Sequence, residues 1–275
     1  MNFKHGIYSV RELLPGLYRI ENSHVFMDLI VGTHHALLWD TGYGYADLNE
    51  VVRQITPLPF YVVNSHGHVD HTCGNWQFPE IFIHPKDMDL CRQHNSPQVR
   101  AVELASAELP DEFDHKLHLN RGHGCLSPVQ ESHVFDLGGK SLEVIELPGH
   151  TAGSIGLLYR EERIFYMGDA ANNFVWLFLP EAQNIQTYRK TLLKLISMDF
   201  DRMIHSHCPE ILPKKRIQYY LDLVENLNFD TGEIVPPPID TGIEARICIR
   251  GGMSLDDREK EDFAAILIGK DKVNL

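Results

Sequence analysis

The sequence predicts a layered α/β fold, and two observations carry that expectation. Between Leu17 and Val63, apolar runs of strand length alternate with one stretch of helical periodicity, as in strands packed under helices. Four strand-like runs also end alike, each followed by a His or Asp in a short turn. These are Phe60 to Val63 before His66, Ser141 to Leu147 before His150, Arg163 to Met167 before Asp169, and Met203-Ile204 before His205.

Taken in order, Leu17-Tyr18-Arg19-Ile20 alternates, Val25 to Val31 is largely apolar, and Gly32-Thr33 punctuates before the run Ala36 to Trp39. All three read as strands. Ala46 to Ile55 places Leu48, Val51, Val52 and Ile55 on one helical face, and Phe60 to Val63 is the next strand. Residues 85–132 are different: polar, interrupted by Pro97, Pro110 and Pro128, with helical stretches at 86–94 and 98–108. They read as an insertion, either a substrate-selecting lid or a solvated excursion without a role. Strands resume at His133 to Leu137 and Ser141 to Leu147. Ser154 to Tyr159 and Arg163 to Met167 form a hairpin across Arg160-Glu161-Glu162. Gln186 to Met198 and Lys215 to Leu227 are helices, the break Pro236-Pro237-Pro238 follows, and Ala245 to Ile249 and Phe263 to Ile268 read as short strands. The expected organisation is one domain over 1–275, with the insertion near 85–132 and a C-terminal extension near 211–275.

With 43% hydrophobic and 23% charged residues in 275, the chain has the composition of a soluble globular protein. A formal net charge of −13 repels the phosphates of DNA, RNA and anionic membranes, so neither nucleic acid nor membrane is an expected partner. A small-molecule substrate is. The five cysteines are odd in number and form no CxxC pair, which fits reduced thiols in the cytoplasm. Met1 to Val10 lacks the basic start and apolar stretch of a signal peptide. No apolar run approaches the length of a membrane span. The expectation is a cytoplasmic protein, and a homodimer is compatible with it.

The most informative segment is His66-Gly67-His68-Val69-Asp70-His71, four metal-ligand side chains within six residues. Imidazole and carboxylate together suit zinc, manganese or iron(II). Three further ligand types follow strand ends, in Pro148-Gly149-His150-Thr151, Met167-Gly168-Asp169 and His205-Ser206-His207. In this order the chain strongly resembles the metallo-β-lactamase superfamily, whose members carry HxHxDH and then a His, an Asp and a His. The resemblance runs from about Leu17 to Cys208.

That resemblance implies a four-layer αβ/βα sandwich and two divalent metal ions, zinc by default with manganese or iron as alternatives. His66, His68 and His150 would bind one ion. Asp70, His71 and His207 would bind the second, with Asp169 bridging and His207 preferred to His205. Asp40, in Asp40-Thr41-Gly42, resembles the family Asp that supports ligands from outside the metal shell; a turn-forming Asp is the alternative. Two cations about 3.5–4 Å apart lower the pKa of a shared water towards neutrality, so a metal-bound hydroxide would attack the substrate. Asp70 and Asp169 would compensate charge and take part in proton movement. Cys73 and Cys208 adjoin the ligands without occupying motif positions, and packing is the expected role of both.

Asp169 also points to a branch. It resembles the bridging Asp of glyoxalase II, lactonase, thioesterase and phosphodiesterase members, where antibiotic-hydrolysing β-lactamases place Cys or Ser. The acidic chain has neither a long insertion of the size nor the basic charge expected of the nuclease branch. The function implied is therefore hydrolysis of a small thioester or ester, such as an acyl-coenzyme A or a glutathione thioester. A phosphodiesterase or lactonase is the alternative, and a metal-binding sensor or scaffold the non-enzyme one. His123, Phe174 and Trp176 are candidates to line the substrate pocket, with core packing the alternative for the aromatics. Lys214-Lys215-Arg216 is either an anion contact or a solvated helix start.

Overall fold

The computed structural model describes residues 2–234 and 242–273, so the expected break at Pro236-Pro237-Pro238 lies outside the described residues. The chain divides into two compact units, Met1–Ile145 and Glu146–Leu275.

The first unit is built on an eight-stranded sheet whose spatial order follows the chain. Strands β1 (Asn2–His5), β2 (Tyr8–Leu14), β3 (Leu17–Asn22), β4 (Val25–Val31) and β5 (Ala36–Trp39) are antiparallel neighbours. From β5 onward the sheet becomes parallel, through β6 (Phe60–Val63), β7 (Ile81–Ile83) and β8 (Leu126–Pro128). A parallel step needs a crossover, which helix α1 (Leu48–Ile55) supplies between β5 and β6. Asp47 caps it, its side chain accepting from Glu50 N–H at 2.8 Å. Its face of Leu48, Val51 and Val52 is fully buried against Val10, Ile20, Met27 and Leu29 of the sheet. Burial of this kind contributes about 1.5–3 kcal/mol per side chain.

Within β3 and β4 the same sheet holds a buried ion pair. Arg19 Nε and Nη2 donate to the two oxygens of Asp28 at 3.0 and 3.1 Å, and the guanidinium lies 4.7 Å from the Phe26 ring centre.

Short helices occupy the segment after β6: α2 (Val69–Thr72), α3 (Met88–His94), α4 (Pro97–Leu104) and α5 (His115–Leu119). The last three lie in the expected insertion, matching its two helical stretches and adding a third. Strands β9 (Val134–Asp136) and β10 (Ser141–Glu146) form an antiparallel hairpin.

In the second unit, β11 (Ile155–Tyr159) and β12 (Ile164–Tyr166) form the expected antiparallel hairpin. Strand β13 (Phe174–Leu177) and helix α6 (Ile185–Ser197) follow, and β14 (Arg202–Ile204) pairs parallel with β12. Strand β15 (Leu212–Pro213) and helix α7 (Arg216–Glu225) come next. Strands β16 (Glu233–Ile234), β17 (Ala245–Ile249) and β18 (Ala265–Gly269), with β13, make a four-stranded sheet of order β13-β18-β17-β16. Helix α8 (Lys270–Val273) ends the described chain. Among the described residues no helix is long and apolar enough to cross a membrane.

Candidate metal centre

Each unit brings several of the ligand-type residues together at a sheet edge. In the first, adjacent parallel strands β5 and β6 end at the same edge of the sheet. That edge is where parallel sheets present functional loops. Asp40 leaves β5 and the His66–His71 loop leaves β6, so residues far apart in sequence become neighbours. Asp40 adopts φ +62°, a left-handed conformation that Asp and Asn tolerate better than most residues. Its Oδ1 accepts from Ser65 N–H at 2.7 Å. Its Oδ2 accepts from Ser65 Oγ at 2.8 Å and from His71 Nδ1 at 2.9 Å.

This carboxylate sets two imidazole tautomers. His71 spends its Nδ1 proton on Asp40, so Nε2 presents a lone pair, 3.2 Å from Asp70 Oδ2. Ser65 has given its own proton to Asp40 and accepts from His66 Nδ1 at 2.9 Å. His66 Nε2 thus also presents a lone pair, 3.0 Å from His68 Nδ1. The lone pairs of His71 Nε2 and Asp70 Oδ2, held this close, repel unless a cation lies between them, and the donor set of imidazoles and a carboxylate fits a divalent ion.

The loop itself is braced. Asn64 Nδ2 and Thr41 Oγ1 both donate to His71 O at 3.1 Å, and Thr72 Oγ1 donates to His68 O at 2.8 Å. The insertion contributes through fully buried Arg100, which donates to Asn95 Oδ1 at 2.6 Å; Asn95 Nδ2 donates to Thr72 Oγ1 at 2.8 Å. Gly67 leaves no room for a side chain. A Cβ there would stand 2.9 Å from Asp87 O, Cys91 N and Leu90 Cβ. Gly67→Ala is therefore expected to destabilise the protein by about 1–3 kcal/mol through overpacking, read as a lower midpoint in urea unfolding.

In the second unit, β12 and β14 are again adjacent and parallel, so Asp169 and His207 leave one sheet edge together. Their side chains meet with His207 Nε2 3.2 Å from Asp169 Oδ2. His150 precedes β11, which is antiparallel to β12, and so reaches the same edge; its Nε2 lies 3.9 Å from Asp169 Oδ2. His150 donates from Nδ1 to the carbonyl of Trp176 at 2.9 Å, which again leaves Nε2 as the lone-pair nitrogen. His205 is buried, and its Nδ1 accepts from His207 N–H at 3.3 Å. Tyr188 and Tyr220 hydroxyls donate to Ala170 O and Asn172 O at 2.9 and 2.7 Å, tying down the turn after Asp169.

The remaining candidates lie as follows. Phe174 packs on Phe263 and Trp176 on Phe178, ring centres 5.4 Å apart in each pair. His123 is half-buried in the insertion. In Lys214-Lys215-Arg216 only Lys215 is exposed. Lys214 Nζ donates to Ile196 O and Met198 O at 2.9 and 2.5 Å. Lys215 pairs with Glu261, and buried Arg216 binds Asn173 Oδ1 at 2.7 Å. Burial pushes the Cys73 thiol up to about 12, so it is not a nucleophile at neutral pH. In the sequence Ser65 is only a serine without the GxSxG setting of a nucleophile, and neither its role nor that of the Trp176 carbonyl is visible there, because a hydroxyl or backbone oxygen that orients a ligand carries no pattern of its own.

Burial, reinforced by Arg100 with Nη1 3.5 Å away, pushes the His118 imidazolium down to about 4 from an ordinary value near 6.5. The unfolded chain therefore takes up this proton first, and stability is lost as pH falls from 6.5 towards 4. His118→Asn is expected to show a smaller drop in Tm between pH 7 and pH 4.5 than the parent; equal drops would contradict it.

A family model for the metallo-beta-lactamase superfamily matches residues 25–207. The acyl-coenzyme A thioesterase MBLAC2 of Gallus gallus is 27% identical over 186 residues, covering 62% of this chain and 66% of that protein. The hydroxyacylglutathione hydrolase GloC of Haemophilus influenzae is 25% identical over 150 residues, covering 49% of this chain and 64% of that one. The chain thus spans just under two thirds of the length of these relatives. Among solved structures, the metallo-beta-lactamase from Erythrobacter litoralis superposes with a TM-score of 0.60 at 17% identity, over 82% of this chain and 100% of that one. This likeness shows the fold, an α/β sandwich of the metallo-β-lactamase type, in agreement with the class expected from the sequence. On the family match over most of its length, the chain belongs to the metallo-beta-lactamase superfamily.

Proposed function

We propose that the protein is a metal-dependent hydrolase acting on a small thioester, with acyl-coenzyme A thioesters as the substrate class. The observation that carries the reading is the pair of lone-pair clusters, each oriented by a supporting acceptor. Names of relatives support the substrate class: a thioesterase and a hydroxyacylglutathione hydrolase both cleave thioesters. Following the family order, His66, His68 and His150 are assigned to one divalent ion. Asp70, His71 and His207 are assigned to a second, with Asp169 shared. Zinc is the first expectation, with manganese and iron as alternatives. Two such ions would supply Lewis acidity for the thioester carbonyl and lower the pKa of water.

The chain's own residues prepare that chemistry. Asp40 and Ser65 hold the Nε2 atoms of His66 and His71 as acceptors, and the Trp176 carbonyl does the same for His150. Asp70 and Asp169 bring negative charge to offset the cations, and they are assigned a part in proton movement during turnover.

The test is thiol release from acyl-coenzyme A of graded chain length by zinc-loaded protein, beside His66→Ala and Asp169→Ala. Partners outside a metal's ligand shell already cost 10–100-fold when removed. Either substitution is therefore expected to lower kcat by more than about a hundredfold with the fold retained. Unchanged turnover in either variant would sink the mechanism. Turnover only on a lactone or a phosphodiester would replace the substrate class and keep the centre.

A further inference from the structure

The first unit contains a cavity of about 720 Å³ that the proposed hydrolysis does not use. Its wall includes the stacked rings of Tyr43 and Tyr45, 5.2 Å apart and nearly parallel at 6°. Glu103 of α4 lines it half-buried, and its carboxylate makes no hydrogen bond or ion pair among the described residues. Burial and the charge of Asp70 raise the Glu103 carboxyl above its ordinary value, a strain that a cation beside it would relieve. Asn22, 6% exposed, also lines the cavity, and its Oδ1 is buried without a hydrogen-bond partner. Such an acceptor has given up water without gaining a donor, which is unfavourable.

All these groups ask for the same complement. An unpaired carboxylate needs positive charge, an unpaired amide oxygen needs an N–H or O–H donor, and tyrosine faces attract cations. The other charged lining groups do not reverse the balance, since Glu21 and Glu108 outweigh Lys4. At the rim, Ser23 and His24 turn the β3–β4 hairpin with φ of 52° and 64°. Neither is the glycine or asparagine that such a turn favours, and strained backbone of this sort tends to persist beside ligands. An acid-lined wall repels the phosphates of coenzyme A, so the occupant is not that part of a thioester substrate.

We propose that this cavity is a binding site for a primary aliphatic ammonium ion, of the alkylamine or diamine class. The ammonium would pair with Glu103, donate to Asn22 Oδ1 and lie against the Tyr43 ring. A quaternary ammonium lacks the donor that Asn22 requires and is expected to bind more weakly. The inference does not rest on the hydrolase reading.

The probe is 1,4-diaminobutane, titrated calorimetrically into the full-length protein at about 0.15 M ionic strength, where diffuse charge attraction is screened. The neutral isostere 1,4-butanediol serves as the control. Saturable binding of the diamine without binding of the diol is expected. Glu103→Gln keeps the shape and removes the charge, and is expected to weaken binding at least tenfold, as loss of a charged hydrogen bond does. Tyr43→Leu should weaken it independently. Equal affinity in the parent and Glu103→Gln would overturn the proposal, because the amine would then be held elsewhere, including at the ligand loop. Absence of saturable diamine binding would overturn it as well.

Discussion

On the proposed function, replacing Asp40 by asparagine is expected to weaken zinc binding by 10–100-fold and to lower hydrolysis in proportion, the usual cost of losing a partner that orients ligands. Asparagine is the informative choice. It tolerates the left-handed backbone at this position, φ +62°, so the change isolates the side chain from the turn. Three donors face the carboxylate: Ser65 N–H, Ser65 O–H and His71 Nδ1. An amide N–H2 must oppose at least one of them. Where it opposes Ser65 O–H or His71, the hydroxyl rotates or His71 shifts its proton to Nε2 and a ligating lone pair is lost; where it opposes Ser65 N–H, the hydrogen bond that braces the ligand loop is lost. Zinc affinity measured by competition with a chromophoric chelator checks this. An affinity within twofold of the parent would show that Asp40 is only a turn residue.

Arg19→Met is expected to cost about 3–5 kcal/mol of stability, because removing one member of a buried pair leaves the other charge uncompensated. Arg19 and Asp28 are 2% and 1% exposed, so water cannot take the place of either partner. Burial, with the charge of Asp40, raises the Asp28 carboxyl in spite of Arg19. The folded state thus holds this proton more readily than the unfolded chain, and Asp28 destabilises less as pH falls through its raised value. With Arg19 gone the rise is larger, so the deficit of the variant should shrink on acidification. The double substitution Arg19→Met with Asp28→Leu should recover much of the loss. Urea unfolding at pH 7 and pH 5 measures all three effects. A single-variant loss below about 1 kcal/mol, within the range of exposed pairs, would contradict the argument.

Strands β3 to β6, helix α1, the β11–β12 hairpin and helix α6 were legible in the sequence because each buries a face of regular period. Val25–Val31 is apolar almost throughout since both faces of β4 are covered, and α1 repeats its apolar residues at helical spacing. Other elements carry no such period. Asn2–His5 alternates exposed and half-buried residues and is a strand because Tyr8–Leu14 offers it a partner. Phe174–Leu177 alternates, but the sequence does not announce that its neighbour is Ala265–Gly269, far along the chain. Lys214-Lys215-Arg216 has the composition of a solvated run, yet backbone carbonyls accept hydrogen bonds from half-buried Lys214 and buried Arg216.

The sequence by itself determined the chemistry on offer: which imidazoles and carboxylates the chain carries, their order, and their place just beyond strand ends. It did so because ligand identity is local and strand ends are marked by short-range patterning. Only the tertiary structure decided which nitrogen of each imidazole faces outward. That choice depends on Asp40 meeting Ser65 and His71, and on the Trp176 carbonyl meeting His150. Those encounters follow from which strands pair, and in which direction. Strand pairing is a long-range outcome of burying every face at once, so no short stretch of residues encodes it.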